Sequence, residues 1–170
     1  MKALIIFLMV FLTGCIGVET PDTVFKAKPI LYIGDSNCTP RKWSRAWENV
    51  GIEADCFGGR RLMQVISLPQ SDVIFLALGL NDAIHYPALI YGRHLSYLLT
   101  TTRAKVYCIL PVVNHAGSSL DVSPVRYEMY TRCTNIIDPM DFGVIVENSD
   151  GLHWGENDDY NFTIGLNKAL

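Results

Sequence analysis

Three short segments carry side chains from which acyl transfer can be built: Gly34-Asp35-Ser36, Gly79-Leu80-Asn81-Asp82 and Asp150-Gly151-Leu152-His153. A serine hydroxyl is a weak nucleophile near neutral pH, so it needs a base within hydrogen-bond reach and a third group that orients that base. His153 and Asp150 can supply both, because Asp-x-x-His spacing lets one loop present imidazole and carboxylate together. The charge that develops on an attacked carbonyl oxygen needs fixed donors. The Ser36 amide, a glycine amide from Gly58-Gly59 and the Asn81 side chain are available for that. The chain order Ser, Asp, His suits an α/β arrangement, although Ser36 lacks a Gly-x-Ser-x-Gly elbow.

Each of these residues has a plainer use. Ser36 can cap a following helix. Asp35 and Asp82 suit turn-forming or loop-bracing work, and Asn81 and Asp150-Gly151 suit turns. The plain uses must all coincide, in order along the chain, to leave no chemistry.

The elements that position them follow from pattern. Ile30 to Gly34 is an apolar run ending on turn chemistry, which reads as a strand buried on both faces, with Ser36 delivered at its carboxyl end. Further strands are expected at Ile52 to Phe57, Asp72 to Leu78, Lys105 to Val113 and Phe142 to Val146. Helices are expected at Arg41 to Val50, Arg60 to Leu68, Ala88 to Thr101, Pro124 to Ile136 and Asp158 to Leu170. Trp43 and Trp47, four apart on one helical face, read as core rather than sugar-stacking residues. Strand and helix alternate, so the expected fold class is α/β: a three-layer α/β/α sandwich with a five-stranded parallel sheet. In such sheets the reacting groups collect at the carboxyl edge.

With these residues in place the sequence resembles the SGNH hydrolases, also called the GDSL esterases and lipases. The first family block is matched by Gly34-Asp35-Ser36, the second by the glycine pair, the third by Gly79-Leu80-Asn81-Asp82 and the fifth by Asp150-Gly151-Leu152-His153, in family order over residues 30 to 154. The resemblance implies a flavodoxin-like sheet, a serine esterase with a catalytic triad of Ser36, His153 and Asp150, and an oxyanion hole from Ser36, Gly59 and Asn81. It implies neither a metal nor an organic cofactor. Two departures stand out. Asn37 follows the serine where the commonest family pattern has an aliphatic residue, and Cys56-Phe57 stands where an asparagine often precedes the glycine region. Both bear on the loop around the nucleophile, and so on substrate choice.

The chain's length, 170 residues, suffices for one domain with a sizeable core, and a hydrophobic fraction of 49% against 18% charged residues argues for a globular fold. A net charge of -3 gives no basic surface for nucleic acid. The amino-terminal residues read as targeting. Met1-Lys2 precedes an apolar stretch from Ala3 to Leu12, too short to span a bilayer. Leu12-Thr13-Gly14-Cys15 then resembles the lipobox of bacterial lipoproteins. That resemblance implies a signal peptide over 1–14, a lipid-modified Cys15 opening a tether over 15–28, and a hydrolase domain over 29–170. The other reading is a plain secretory signal with an incidental cysteine. Ile16, in place of an aspartate after the cysteine, leans toward the outer membrane by the sorting logic of enteric bacteria. Loss of Lys2 with the leader takes the net charge from -3 to -4, so attachment to the membrane must come from the anchor.

Cys38, Cys56, Cys108 and Cys133 remain, an even set that an exporting compartment allows to pair in three ways or to stay as thiols. Cys38 and Cys56 fall near the carboxyl ends of neighbouring expected strands, which favours 38 with 56 and then 108 with 133. His85, His94 and His115 have no partners at metal-ligand spacing and read as surface or packing residues. Trp154 can stack on a sugar ring or close the core beneath its loop.

The function expected from these readings is a lipid-anchored esterase, exported to the bacterial cell envelope, that removes a small acyl group such as acetyl. Its substrate would be a small ester or an acylated envelope glycan. The alternative is a non-catalytic surface lipoprotein that binds glycan or a partner protein through the same fold.

Overall fold

The computed structural model describes residues 30–38 and 51–169. The expected leader, Cys15 and its tether, and the helix expected over 41–50 with Trp43 and Trp47 lie outside the described residues.

Five parallel strands form one sheet in the order β2-β1-β3-β4-β5. They are β1 (Ile30–Gly34), β2 (Ile52–Cys56), β3 (Val73–Ala77), β4 (Lys105–Ile109) and β5 (Asn135–Ile137). Among the described residues the helices are α1 (Leu80–His85), α2 (Ala88–Thr101), α3 (Ser123–Arg132) and α4 (Glu156–Ala169). Alternate residues of the central strands feed opposite faces, which is why these strands read as continuous apolar runs. Ile33, Ile74, Leu76, Val106 and Cys108 pack with Tyr91, Leu95 and Leu98 of α2 and Val125 and Met129 of α3. Tyr32, Phe75 and Ile109 pack on the other face with Val144, Val146, and Phe162 and Leu166 of α4. The result is the expected three-layer α/β/α sandwich.

Two disulfides fix the frame. Cys38–Cys56 ties the turn after β1 to the end of β2, with Cα atoms 5.5 Å apart. Cys108–Cys133 ties β4 to the residue after α3, with Cα atoms 6.3 Å apart. Both Cα separations lie in the range a disulfide bridges without moving backbone, and both pairings are the favoured ones.

The fifth strand is not where the pattern puts it. α3 ends at Arg132, and Cys133 caps it in extended conformation with its amide on the Met129 carbonyl. The chain then runs straight into β5, where Asn135, Ile136 and Ile137 pair with Tyr107, Cys108 and Ile109. The stretch Phe142 to Val146 is not a strand. Its alternation reflects burial of Val144 and Val146, but the amides of Ile145, Val146 and Glu147 donate to the buried Asp158 carboxylate at 2.8, 3.1 and 2.7 Å. A side chain from α4 takes the place of a neighbouring strand.

The helix expected over Arg60 to Leu68 shrinks to a single 3-10 turn, Leu62–Gln64. Here the reason is again a carboxylate: Asp82, wholly buried, accepts from the Leu62 and Met63 amides at 2.8 and 3.4 Å and fixes the turn from outside. Asp82 is thus a loop brace. Burial raises its pKa above the usual carboxylate range.

Candidate active site

The sheet order reverses direction between β1 and β3: the chain leaves β1 for the β2 edge and returns on β1's other side. Loops diverge at such a point and open a crevice at the carboxyl edge. Gly34 aligns with Cys56 and with Ala77, so the ends of β1, β2 and β3 deliver Asp35-Ser36, Phe57-Gly58-Gly59 and Leu78-Gly79-Leu80-Asn81 to one place.

Ser36 opens a short 3-10 turn, Ser36–Cys38, whose Cys38 amide returns to the Asp35 carbonyl at 3.1 Å. Its Oγ lies 3.0 Å from His153 Nε2, across 117 residues of sequence. His153 Nδ1 lies 2.6 Å from Asp150 Oδ2. The other oxygen, Asp150 Oδ1, accepts from the Leu152 and His153 amides at 2.8 and 2.9 Å. One loop therefore holds carboxylate and imidazole as a unit. The His153 amide, the His153 side chain and the Leu152 amide all favour the charged form, and they pull the Asp150 pKa down to about 2.

That loop is itself held by close packing. Gly151 has a φ of 65°, and a Cβ there would stand 2.3 Å from the Asn114 carbonyl oxygen and 2.6 Å from the Ser118 nitrogen. Its own carbonyl accepts from the Asn114 amide at 2.8 Å. On the far side the Trp154 ring meets Phe162 edge to face at 5.0 Å, so it closes the core beneath the loop. Val146, just before the loop, holds a φ of 57°, costly for a β-branched residue. The Asp158 carboxylate on its amide and the Asn114 amide on its carbonyl (3.2 Å) hold it there.

Asn81, in the first turn of α1, donates from its side-chain amide to the Arg60 carbonyl at 3.2 Å and to Asp35 Oδ2 at 3.3 Å. It is thereby placed between the glycine turn and the residue before Ser36. Gly79 ahead of it has a φ of 138°, and a Cβ there would crowd Val125 Cγ1 at 3.0 Å and the Tyr91 hydroxyl at 3.2 Å, so glycine lets α1 begin directly at the strand end. Gly59 sits exposed, with a φ of 72°, in the turn where the Arg60 amide returns to Phe57. Asp35 is 4% exposed and burial raises its pKa to about 6, opposed by the Asn37 amide and by His153.

The structure brings Ser36, His153 and Asp150 into hydrogen-bond contact and Asn81 onto Asp35, and Gly59 lies in the turn that ends at Arg60; Cys15 is outside the described residues. Of the other histidines, His94 bonds the Val65 carbonyl at 2.9 Å and packs near Tyr97. His115 is exposed on the loop beside Gly117. Among the described residues no group of three or more His, Cys, Asp or Glu side chains could hold a metal ion. Sequence reasoning missed two contributors. Asp158 looked only like an acidic helix start, and the loop residues it serves gave no sign of needing a carboxylate. Asn37 looked only like a departure from a pattern. Its amide in fact donates to the Leu152 carbonyl at 3.1 Å and accepts from the Trp154 amide at 2.9 Å.

No protein-family model matches the sequence, and no curated protein does either. Solved structures do. A GDSL-like lipase from Bacteroides thetaiotaomicron superposes with a TM-score of 0.63 at 14% identity, covering 86% of this chain and 91% of that one. A carbohydrate acetylesterase family member from Sinorhizobium meliloti gives 0.61 at 14% identity, covering 84% and 96%. The aryl esterase of M. smegmatis gives 0.61 at 16% identity, covering 84% and 98%. At such identities the likeness is one of fold, and the fold is that of the SGNH hydrolases, an α/β sandwich on a five-stranded parallel sheet.

Proposed function

We propose that the protein is a serine esterase that hydrolyses a small acyl ester, with acetyl the simplest case. The observation that carries this reading is the continuous relay from Ser36 Oγ to His153 Nε2 at 3.0 Å and from His153 Nδ1 to Asp150 at 2.6 Å. Ser36 Oγ attacks the ester carbonyl carbon while His153 Nε2 takes its proton, and Asp150 orients the ring and stabilises the imidazolium. Collapse of the tetrahedral adduct breaks the bond to the alcohol, which leaves with the proton from His153. Water then attacks the acyl-enzyme through the same base, and the carboxylic acid departs.

The amides of Ser36 and Gly59 and the Asn81 side chain are assigned to the oxyanion. Asn81 supports this by its place between the glycine turn and Asp35. Acetylesterase and aryl esterase neighbours fit a small ester as substrate, and an envelope carbohydrate is the form we favour for an exported protein. Export with a lipid on Cys15 belongs to the same proposal and rests on the Leu12-Thr13-Gly14-Cys15 tetrad.

The test is hydrolysis of a short chromogenic acetyl ester by the protein and by Ser36→Ala. A rate that depends on Ser36 supports the reading, whereas equal rates would overturn it in favour of a binding protein. Mass spectrometry of the mature amino terminus tests the anchor: an acylated Cys15 is expected, and an unmodified start elsewhere rejects it.

A further inference from the structure

We propose that Asn37 is a positioning residue whose side-chain amide fixes the backbone on both sides of His153 against the turn that carries Ser36, setting the distance from hydroxyl to imidazole. The inference rests on the esterase reading of Ser36 and His153.

Asn37 is anchored at its own end. Its amide donates to Asp35 Oδ1 at 3.0 Å, and the next amide, of Cys38, returns to the Asp35 carbonyl at 3.1 Å. The side chain immediately after the nucleophile therefore starts from a rigid place, and the disulfide from Cys38 to Cys56 pins the same turn to β2. From there both polar atoms of the amide reach the base loop. Nδ2 donates to the Leu152 carbonyl at 3.1 Å and Oδ1 accepts from the Trp154 amide at 2.9 Å. These are the residues directly before and after His153.

The acid and base of the relay need no such help from each other. Asp150 binds the His153 ring and the amides of residues 152 and 153, so that the pair forms one self-braced unit. What the unit lacks internally is a fixed distance to Ser36, which sits on a different strand end. Asn37 supplies a donor and an acceptor across that junction at the spacing of one peptide on each side of the base. An aliphatic residue at this position offers neither, and would remove both side-chain bonds that run from the turn of Ser36 to the backbone flanking His153. A shift of about 1 Å between reacting groups costs on the order of 10²-fold in rate.

The experiment uses an alkyl fluorophosphonate probe on the full protein. Ser36 Oγ forms the bond to phosphorus, fluoride leaves and His153 takes the proton, so labelling reads the activated hydroxyl without needing the natural ester. Asn37→Ala should label about 10- to 100-fold more slowly and lose a similar factor in kcat on a short acetyl ester, with KM changed less than about threefold. The far-downfield proton between His153 Nδ1 and Asp150 should persist in that variant, because the pair stays intact while its distance to Ser36 grows. Should Asn37→Ala fail to fold, the near-isosteric Asn37→Leu removes donor and acceptor together without adding a charge, and labelling slowed at least about 10-fold is expected. Labelling within about twofold of wild type in whichever variant folds, or a fall accompanied by loss of the downfield proton, overturns the proposal. A wild-type protein that takes no label at Ser36 overturns the esterase reading itself, and this inference with it, which separates the two failures.

Discussion

The Asn81 side chain donates to the Asp35 carboxylate over 3.3 Å, joining the start of α1 to the residue beside Ser36. Its second bond, to the Arg60 carbonyl, leaves it braced from two strand ends before any ester binds. Nδ2 carries two hydrogens and both are engaged, so on ester binding one of these bonds is exchanged for one to the developing anion. Asn81→Ala should therefore lower kcat on a short acetyl ester by roughly 10² to 10³. His153→Ala should cost at least as much, and an unchanged rate in Asn81→Ala would remove it from the oxyanion site.

Gly151 cannot accept a side chain without moving its loop, because the contacts a Cβ would make are to the backbone of Asn114 and Ser118. A methyl group there collides with atoms that have no rotamer to change. Gly151→Ala should lower kcat/KM by at least about tenfold, by misplacing His153, and should lower the melting temperature as well. A variant crystal structure showing His153 unmoved would reject this account.

Asp158 gathers four amides: Ile145, Val146, Glu147 and, at 3.0 Å, Gly155. It is 1% exposed, so its removal leaves the buried Val146 amide and three part-buried ones without this partner and frees the strained Val146. Asp158→Ala should cost upwards of about 3 kcal/mol, since each hydrogen bond to a charged group contributes roughly 1.5 to 3. Denaturant unfolding measures it. A loss under about 1 kcal/mol would show the segment to be held by its valines instead.

Asp35 predicts a pH effect of definite sign. Its pKa in the folded protein is raised to about 6, above the ordinary carboxylate value, so the folded state holds the proton more tightly than the unfolded chain. Below about pH 4 both states are protonated and nothing is lost. As pH rises toward 6 the buried group must ionise, and stability falls by on the order of 3 kcal/mol, staying level above that. Relative to Asp35→Asn, wild type should lose stability between about pH 4 and 6. A constant difference across that window would contradict the raised value.

Legibility in the sequence varied with the kind of bond involved. β1, β3 and β4 were plain because strands buried on both faces need unbroken apolar runs. Asp150 and His153 were plain because their spacing alone makes the unit. β5 was not, since three residues following a helix without a turn carry too little pattern, while Val144 and Val146 alternate for reasons of burial. Asp82 could be read as a loop brace but not which loop it braces, and that loop, Leu62–Gln64, lost its expected helix to it. Asn37 and Asp158 were hidden for a common reason: each serves backbone atoms of another segment, and backbone demand leaves no mark on residue type.

Ser36 and His153 stand 117 residues apart along the chain and 3.0 Å apart in space. β2, β3, β4 and β5 all lie between them in sequence, so the proposed relay is a long-range tertiary contact that no short segment of the chain could make by itself.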